Sequence, residues 1–377
     1  MAKAPARPGP GLRARARLVA GLAQTWVRRP GLPTRVVLDL TRRCNLRCAM
    51  CRTWARQSDG ELTAAEIDAL LARLGPGLLW LDLTGGEPFL RRDLPQIFDA
   101  VATRATALGV LHFQTNGWFT ARVLAQTEAL RRRLSPQIEL IVTVSIDGPA
   151  ALHDRIRGVP GAFARAVATA AGLRDAGIDV HVGTTITRDN AEHLPATWAA
   201  LRDALPQLPR ARWHLNAMQI SPHFYDNAEA APLRVAVDDV GAHVFARGLP
   251  RSLPELMESI YLVNLAFTQR GEPSGVGCQA LRSTLFVSPE GELYPCHLYD
   301  RPLGNVREHD VVALWHAAST LQVRGDIERL ACGGCFSACE AYPALAGAPL
   351  QTLRATARRG LRLWREHDAR AGRTHGG

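Results

Sequence analysis

The sequence contains one lysine, few aromatic residues and no long apolar segment. Lys3 is its only lysine, and aromatic residues make up 6% of the chain. No run of about 18 consecutive apolar residues occurs, which excludes a transmembrane helix. Residues 1–33 are rich in arginine without a long apolar core, so we expect no secretion signal and a cytoplasmic protein. Eight cysteines in such a protein point to metal or redox chemistry rather than to disulfides.

Positive charge is concentrated at both ends of the chain. The net charge is +10 over 377 residues; residues 1–35 contribute +8 and residues 351–377 contribute +5, so residues 36–350 carry −3. A basic terminus can attract nucleic acid or an acidic partner. No aromatic interleaving or nucleic-acid motif accompanies these arginines, so solvated terminal helices are favoured and a nucleic-acid partner is not expected.

Short apolar runs alternate with helical patterns through the first 220 residues. The runs that predict strands are 35–40, 78–83, 110–114, 139–146, 180–186 and 212–220. The patterns that predict helices are 64–74, 94–108, 121–134, 162–176 and 191–205. Such alternation is typical of α/β proteins with right-handed βαβ units and a parallel sheet. The pattern alone leaves open whether that sheet is flat or curved into an incomplete barrel.

Two capping boxes mark the beginnings of helices. Thr63 and Glu66 form the first, at the start of the predicted helix 64–74, and Ser252 with Glu255 forms the second, opening a helix toward Phe267. After residue 226 the βα alternation stops, and a cysteine-rich segment follows the loop 271–277.

Three cysteines follow the first predicted strand. Cys44, Cys48 and Cys51 have C-x3-C-x2-C spacing, and three thiolates on one tight loop can bind three irons of a [4Fe–4S] cube. The fourth iron would then be open to an outside ligand. A zinc site needs a fourth protein ligand close by, and residues 52–58, which follow this group, contain no Cys, His or Asp.

The spacing and place of these cysteines resemble the radical S-adenosylmethionine (radical SAM) superfamily. Gly85, Gly86, Glu87 and Pro88 look like that family's GGEP motif, in which the glutamate and backbone groups bind the methionine amine. The resemblance further implies that Ser145 contacts the cofactor and that Asn116 and Asp147 lie at the rim of the site. Met50 stands where the family usually has an aromatic residue.

Five further cysteines lie near the C-terminus: Cys278, Cys296, Cys332, Cys335 and Cys339. Residues 287–294 predict a β-hairpin that brings Cys278 near Cys296. The group resembles the SPASM extension or its shorter twitch form, which implies one auxiliary [4Fe–4S] cluster held most simply by Cys278, Cys296, Cys332 and Cys335. Cys339 could replace one of these ligands, donate hydrogen or be buried, and a structural zinc ribbon remains an alternative.

The resemblance implies a partial (β/α)6 TIM-type barrel with a small C-terminal Cys-rich β-hairpin and helix domain. The expected divisions are a basic arm at 1–33, the barrel at 34–235, a helical linker at 236–272, the auxiliary-cluster domain at 273–345 and a basic helix or tail at 346–377.

The implied reaction begins with reductive cleavage of S-adenosylmethionine to a 5′-deoxyadenosyl radical, which abstracts hydrogen from a peptide, sugar or aminocyclitol. An auxiliary cluster favours a net oxidation, and a flavodoxin- or ferredoxin-type protein would supply electrons. Thr185, Asn190, His223, Tyr225 and Asp226 are further candidates to face the site. The alternatives are a non-catalytic iron–sulfur or zinc protein and a nucleic-acid-modifying enzyme of the same superfamily.

Overall fold

In the residues that the structure describes, nine strands form one mostly parallel sheet with helices packed around it. The computed structural model describes residues 18, 20–21, 23–25, 30–56, 59–234, 240–251, 253–272, 277–347 and 349–374. Among these residues, no helix is both long and apolar enough to cross a bilayer.

The first six strands alternate with helices as the sequence predicts. The elements in chain order are β1 (Arg35–Asp39), α1 (Ala64–Leu74), β2 (Trp80–Thr84), α2 (Leu94–Arg104), β3 (Val110–Thr115), α3 (Thr120–Arg133), β4 (Glu139–Ser145), α4 (Ala150–Arg157), α5 (Ala162–Asp175), β5 (Asp179–Ile186), α6 (Leu194–Ala204) and β6 (Trp213–Ala217). All six strands are parallel and lie in sequence order. The α/β fold is confirmed, and the short helix α4 is an addition.

The sheet is open, as a partial barrel requires. In the part of the chain that the structure describes, β6 pairs only with β5, and the strand order is β6-β5-β4-β3-β2-β1-β7-β8-β9. Because the first six strands run in the same direction, their carboxyl ends meet at one edge, where parallel α/β folds place their sites.

Local sequence explains where the elements begin and end. The Thr63 hydroxyl accepts a hydrogen bond from the Glu66 amide at 3.2 Å, and the Glu66 carboxylate accepts one from the Thr63 amide at 2.8 Å. The first capping box is therefore confirmed. Ser252, the predicted cap of the later helix, lies outside the described residues.

The C-terminal third continues the sheet and surrounds it with helices. Its elements are α7 (Val240–Ala246), α8 (Leu253–Thr268), β7 (Thr284–Val287), β8 (Glu292–Tyr294), β9 (Gly304–Asn305), α9 (Val311–His316), α10 (Ala318–Glu328), α11 (Ala338–Gly347) and α12 (Pro349–Thr374). The predicted hairpin is confirmed as the antiparallel pair β7 and β8. The sequence did not predict that β7 pairs in parallel with β1 and so extends the barrel sheet.

Arg42 joins three parts of the fold at the carboxyl edge of the sheet. Its guanidinium donates to the carbonyl of His223 at 2.7 Å and to the carboxylate of Glu290 at 3.1 and 3.2 Å. It also lies 3.4 Å from Asp39 at the end of β1. Since His223 follows β6 and Glu290 lies in the hairpin turn, one buried cation links the two sides of the open sheet.

We expect Arg42→Ala to lower the free energy of unfolding by about 3 kcal/mol, because it leaves a buried carboxylate without its cation. Chemical denaturation followed by circular dichroism measures this. Arg43→Ala is the control: its side chain is 57% exposed and pairs with Glu61, so its loss should cost less than about 1 kcal/mol. Equal losses in the two variants would contradict the linking function of Arg42.

Candidate active site and cysteine-lined cavities

The loop after β1, which we call the cluster loop (residues 40–56), lies directly on the loop after β2. The amide of Gly86 donates to the carbonyl of Thr41 at 2.7 Å, and the amide of Glu87 donates to the carbonyl of Arg43 at 2.8 Å. A Cβ at Gly86 would lie 2.3 Å from the carbonyl oxygen of Arg43, and Gly85 has φ +141°. Only glycine permits this approach of two backbones.

The other side of the cluster loop is fixed by the end of α4. The amide of Arg47 donates to the carbonyl of Arg157 at 3.0 Å, and the amide of Ala49 donates to that of Ile156 at 2.9 Å. Gly158 ends α4 with φ +69°, and a Cβ there would lie 2.5 Å from the Arg47 carbonyl oxygen. Two sets of backbone contacts therefore determine where the cysteines lie.

Cys44, Cys48 and Cys51 line one cavity of about 150 Å³ at the carboxyl ends of the strands, which we call the barrel cavity. Burial raises the pKa of the Cys44 thiol to about 12 and that of Cys48 to about 11. Buried thiols of this kind become thiolates when a metal replaces the proton. Three such donors on one loop fit a [4Fe–4S] cluster, and these cysteines could hold it.

Arg157 supplies a positive charge beside these sulfurs. Its guanidinium lies 3.7 Å from the Cys48 sulfur and donates to the Asp147 carboxylate at 2.6 Å. Asp147 also accepts from the Thr185 amide at 2.9 Å, while the Asn190 side chain donates to the Asp147 carbonyl at 2.9 Å. Asp147 thus holds Arg157 in place from behind the cavity wall rather than lining the cavity itself.

Glu87 is also placed behind the wall. Its carboxylate accepts hydrogen bonds from the amides of Phe89 and Asn116 and from the Thr115 hydroxyl, and it is fully buried. Neither Glu87 nor Pro88 lines the barrel cavity, whereas Gly85 and Gly86 do. The carboxylate therefore joins the loops after β2 and β3, and direct contact with a methionine amine stays a prediction.

Other predicted residues do line the barrel cavity. Asn116 lines it and donates to the Asn45 side chain at 2.9 Å, and Ser145, Thr185 and Tyr225 line it as well. His223 is not among the lining residues; its ring stacks on Tyr294 with centroids 4.1 Å apart.

Sequence reasoning missed several polar side chains of the barrel cavity. They lie on the strands, on the loop after β6 or after the hairpin: Asp82, Gln114, Asn216, Gln219 and His297. Polar residues within otherwise apolar strand runs were the available signal, since a strand buried on both faces is normally apolar throughout.

The C-terminal cysteines line a second cavity of about 500 Å³, which we call the auxiliary cavity. Cys278, Cys296, Cys332 and Cys335 all line it. Burial raises the pKa of Cys278 and Cys296 well above the usual value and that of Cys335 to about 11. The four sulfurs therefore fit a metal cluster. Cys339 lies in α11, but its side chain is outside the described residues.

The two cavities share a wall. Gln219 lines both of them, and the consecutive residues Cys296 and His297 line the auxiliary and the barrel cavity respectively. Among the described residues, no three His, Cys, Asp or Glu side chains surround a single ion position. Cysteines spread around a cavity are the arrangement that a multinuclear cluster needs, since each thiolate binds a different iron.

Two sequence families match the chain at these cavities. The model of the radical SAM superfamily matches residues 38–197, and that of the SPASM iron–sulfur cluster-binding domain matches residues 278–337. The chain belongs to the radical SAM superfamily and carries a SPASM domain. It is an enzyme whose cofactors are S-adenosylmethionine and a [4Fe–4S] cluster at the radical SAM domain and auxiliary iron–sulfur clusters at the SPASM domain.

Relatives that are named for different activities match about three quarters of the chain. An AdoMet-dependent heme synthase of Oleidesulfovibrio alaskensis is 27% identical over 74% of this chain and 74% of its own. A PqqA peptide cyclase of Methylocella silvestris is 27% identical over 76% of this chain and 74% of its own. The structure of anSMEcpe with bound AdoMet has a TM-score of 0.58 at 15% identity, over 89% of this chain and all of that one, and shows the same fold.

We expect Gly86→Ala to reduce the iron bound by the barrel cavity, because its Cβ would displace the cluster loop. Iron and sulfide counting after anaerobic reconstitution measures this. Gly77→Ala is the matched control, since nothing lies within 4 Å of a Cβ at that position. Full iron content in Gly86→Ala would contradict the importance of this backbone contact.

Cys48→Ala and Cys335→Ala should each remove one of two clusters. The wild-type chain is expected to bind about eight irons and each variant about four, because each thiolate belongs to a different four-iron site. Electron paramagnetic resonance would identify the remaining cluster. Retention of full iron by both variants would overturn the assignment of these ligands.

Proposed function

We propose that this enzyme reductively cleaves S-adenosylmethionine and oxidises an organic substrate held in the barrel cavity. When bound, the cluster with S-adenosylmethionine supplies an acceptor for one hydrogen atom and the auxiliary cluster supplies an acceptor for one electron, so the substrate loses both together with one proton. The observation that carries the proposal is the wall that the two cavities share. Gln219 lines both cavities, and of the neighbouring residues Cys296 and His297 the first lines the auxiliary cavity and the second the barrel cavity.

The residues of the barrel cavity would divide the work. Cys44, Cys48 and Cys51 would hold the cluster and leave one iron open, and the glycine pair would let a ligand approach the backbone. Ser145 and Asn116 would make hydrogen bonds to S-adenosylmethionine at the rim. Gln114, Asn216 and His297 line the same cavity, and their polar side chains would orient the substrate.

Two apolar side chains would keep water away from the reaction: Met50 and Phe224 line the barrel cavity and are buried. Excluding water protects a reactive radical from side reactions.

The mouth of the barrel cavity favours a substrate that carries carboxylates and a flat face. Trp54 lines the cavity and is 38% exposed, and the guanidinium of Arg47 lies 5.8 Å from the centre of its ring. Arg56, which donates to the His223 carbonyl at 3.1 Å, lies on the same loop, whereas Arg43 and Arg52 already pair with Glu61 and Glu229. Trp54, Arg47 and Arg56 therefore form what we call the basic lip of the cluster loop. Arginine pairs with carboxylates, and an exposed tryptophan stacks on flat rings.

A tetrapyrrole that carries carboxylates is therefore the first candidate substrate, in agreement with the heme synthase among the relatives. An acidic peptide is the second, supported by the peptide cyclase. A neutral sugar or aminocyclitol would offer the basic lip no partner. A nucleic-acid substrate stays a prediction that rests on the basic tails alone, since no feature of the barrel supports it.

The test is product formation under anaerobic conditions with a low-potential reductant. We expect 5′-deoxyadenosine to form from S-adenosylmethionine, and its yield should rise several-fold when coproporphyrin III or its iron complex is added. Mass spectrometry should then show a product that is lighter than the added compound. An acidic peptide in its place tests the second candidate. If no 5′-deoxyadenosine forms in a sample with a full complement of iron, the proposed function is wrong.

Trp54→Ala should abolish the stimulation by coproporphyrin III while leaving the iron content unchanged. Trp364→Ala is its control, because Trp364 is 53% exposed on α12 and belongs to neither cavity. Equal stimulation in the two variants would contradict the proposal that the basic lip binds the substrate.

A further inference from the structure

A buried carboxylate without a hydrogen-bond partner lies in the auxiliary cavity. Glu340, on α11, lines this cavity and is 4% exposed, and neither of its carboxylate oxygens has a hydrogen-bond partner among the described residues. Cys278, Cys296 and Cys335 line the same cavity. A buried carboxylate in such a place needs a compensating charge.

Arg35 is the cation that faces it. Its guanidinium lies 4.0 Å from the Glu340 carboxylate and 2.6 Å from that of Asp82, and the arginine side chain is 2% exposed. Arg35 begins β1, whose parallel pairing with both β2 and β7 brings it to the middle of the sheet. The arginine therefore has one carboxylate on each side.

Asp82, the second carboxylate beside Arg35, lies in the barrel cavity. It lines that cavity and accepts a hydrogen bond from the His112 ring at 2.8 Å, while His112 contacts the Thr143 hydroxyl at 2.9 Å. Although burial raises the pKa of Asp82, Arg35 and His112 lower it by more, so it lies below its usual value. The row Asp82–Arg35–Glu340 thus crosses the wall between the cavities.

We propose that Arg35 is a positioning residue that serves as the shared counter-charge of the two cavities and, with Glu340, sets the reduction potential of the auxiliary cluster. The inference rests on the auxiliary cluster of the proposed function. Reduction adds negative charge to that cluster, and in a buried site a nearby fixed charge acts with little screening. Arg35 stabilises the added charge, and Glu340 opposes it.

The two residues therefore predict shifts of opposite sign. In the reconstituted holoenzyme at about pH 8.5, Arg35→Met should make the auxiliary midpoint potential more negative and Glu340→Gln should make it more positive. We expect at least a tenfold change in the reduction equilibrium for each, which for one electron is about 59 mV. Arg35→Lys keeps the charge and should restore most of the wild-type potential.

The measurement is a redox titration followed by electron paramagnetic resonance. S-adenosylmethionine should perturb only the signal of the barrel cluster, which separates the two clusters. Glu272→Gln is the matched control: Glu272 lines the same cavity, but its side chain is 35% exposed and pairs with Arg362 at 2.9 Å, so its removal should not move the potential.

The outcomes separate this inference from the proposed function. An auxiliary signal that Glu340→Gln moves no further than Glu272→Gln overturns the charge coupling alone. Absence of any auxiliary signal, with the barrel cluster intact at about four irons, overturns the proposed function and this inference with it. Should Arg35→Met fail to fold, the conservative Glu340→Gln and Arg35→Lys still decide the matter.

Discussion

The contact between the loops after β1 and β2 is the constraint on which the site depends. Two backbone hydrogen bonds, from Gly86 and Glu87 to carbonyls of the cluster loop, leave no room for a side chain at the glycine. The end of α4 holds the same loop from the opposite side. Between these contacts the three cysteines have one arrangement, at the edge where six parallel strands end.

Features with local causes could be predicted from the sequence. The six strands follow from short apolar runs, α1 from its Thr63–Glu66 capping box, and the β7–β8 hairpin from its turn residues. The two cysteine groups were identified by spacing, because metal clusters need several thiolates within a short distance.

Features that depend on distant pairing could not be predicted. Nothing near Glu87 or Asp147 in sequence shows that each turns away from the barrel cavity, toward Asn116 and Arg157 respectively. The docking of β7 on β1 is equally non-local, because it joins segments about 250 residues apart. Glu340 follows a cysteine in the sequence, where it resembles an ordinary helix residue.

The structure places two cysteine-lined cavities on either side of a thin wall that carries buried charge. Asp82 lines one cavity, Glu340 lines the other, and Arg35 lies between them. Burying this many charged groups is unfavourable for stability, and a purely structural wall would be expected to use apolar side chains. The proposed reaction gives these charges a function, because in it an electron would move from the substrate in the barrel cavity to the auxiliary cluster.

The central claim is that three cysteines leave one iron open to S-adenosylmethionine, and electron–nuclear double resonance tests it most directly. The reduced protein would be frozen with S-adenosylmethionine carrying ¹⁵N in its amine and ¹⁷O in its carboxylate. We predict hyperfine coupling of both labels to the cluster held by Cys44, Cys48 and Cys51. An intact cluster signal without coupling to either label would contradict it.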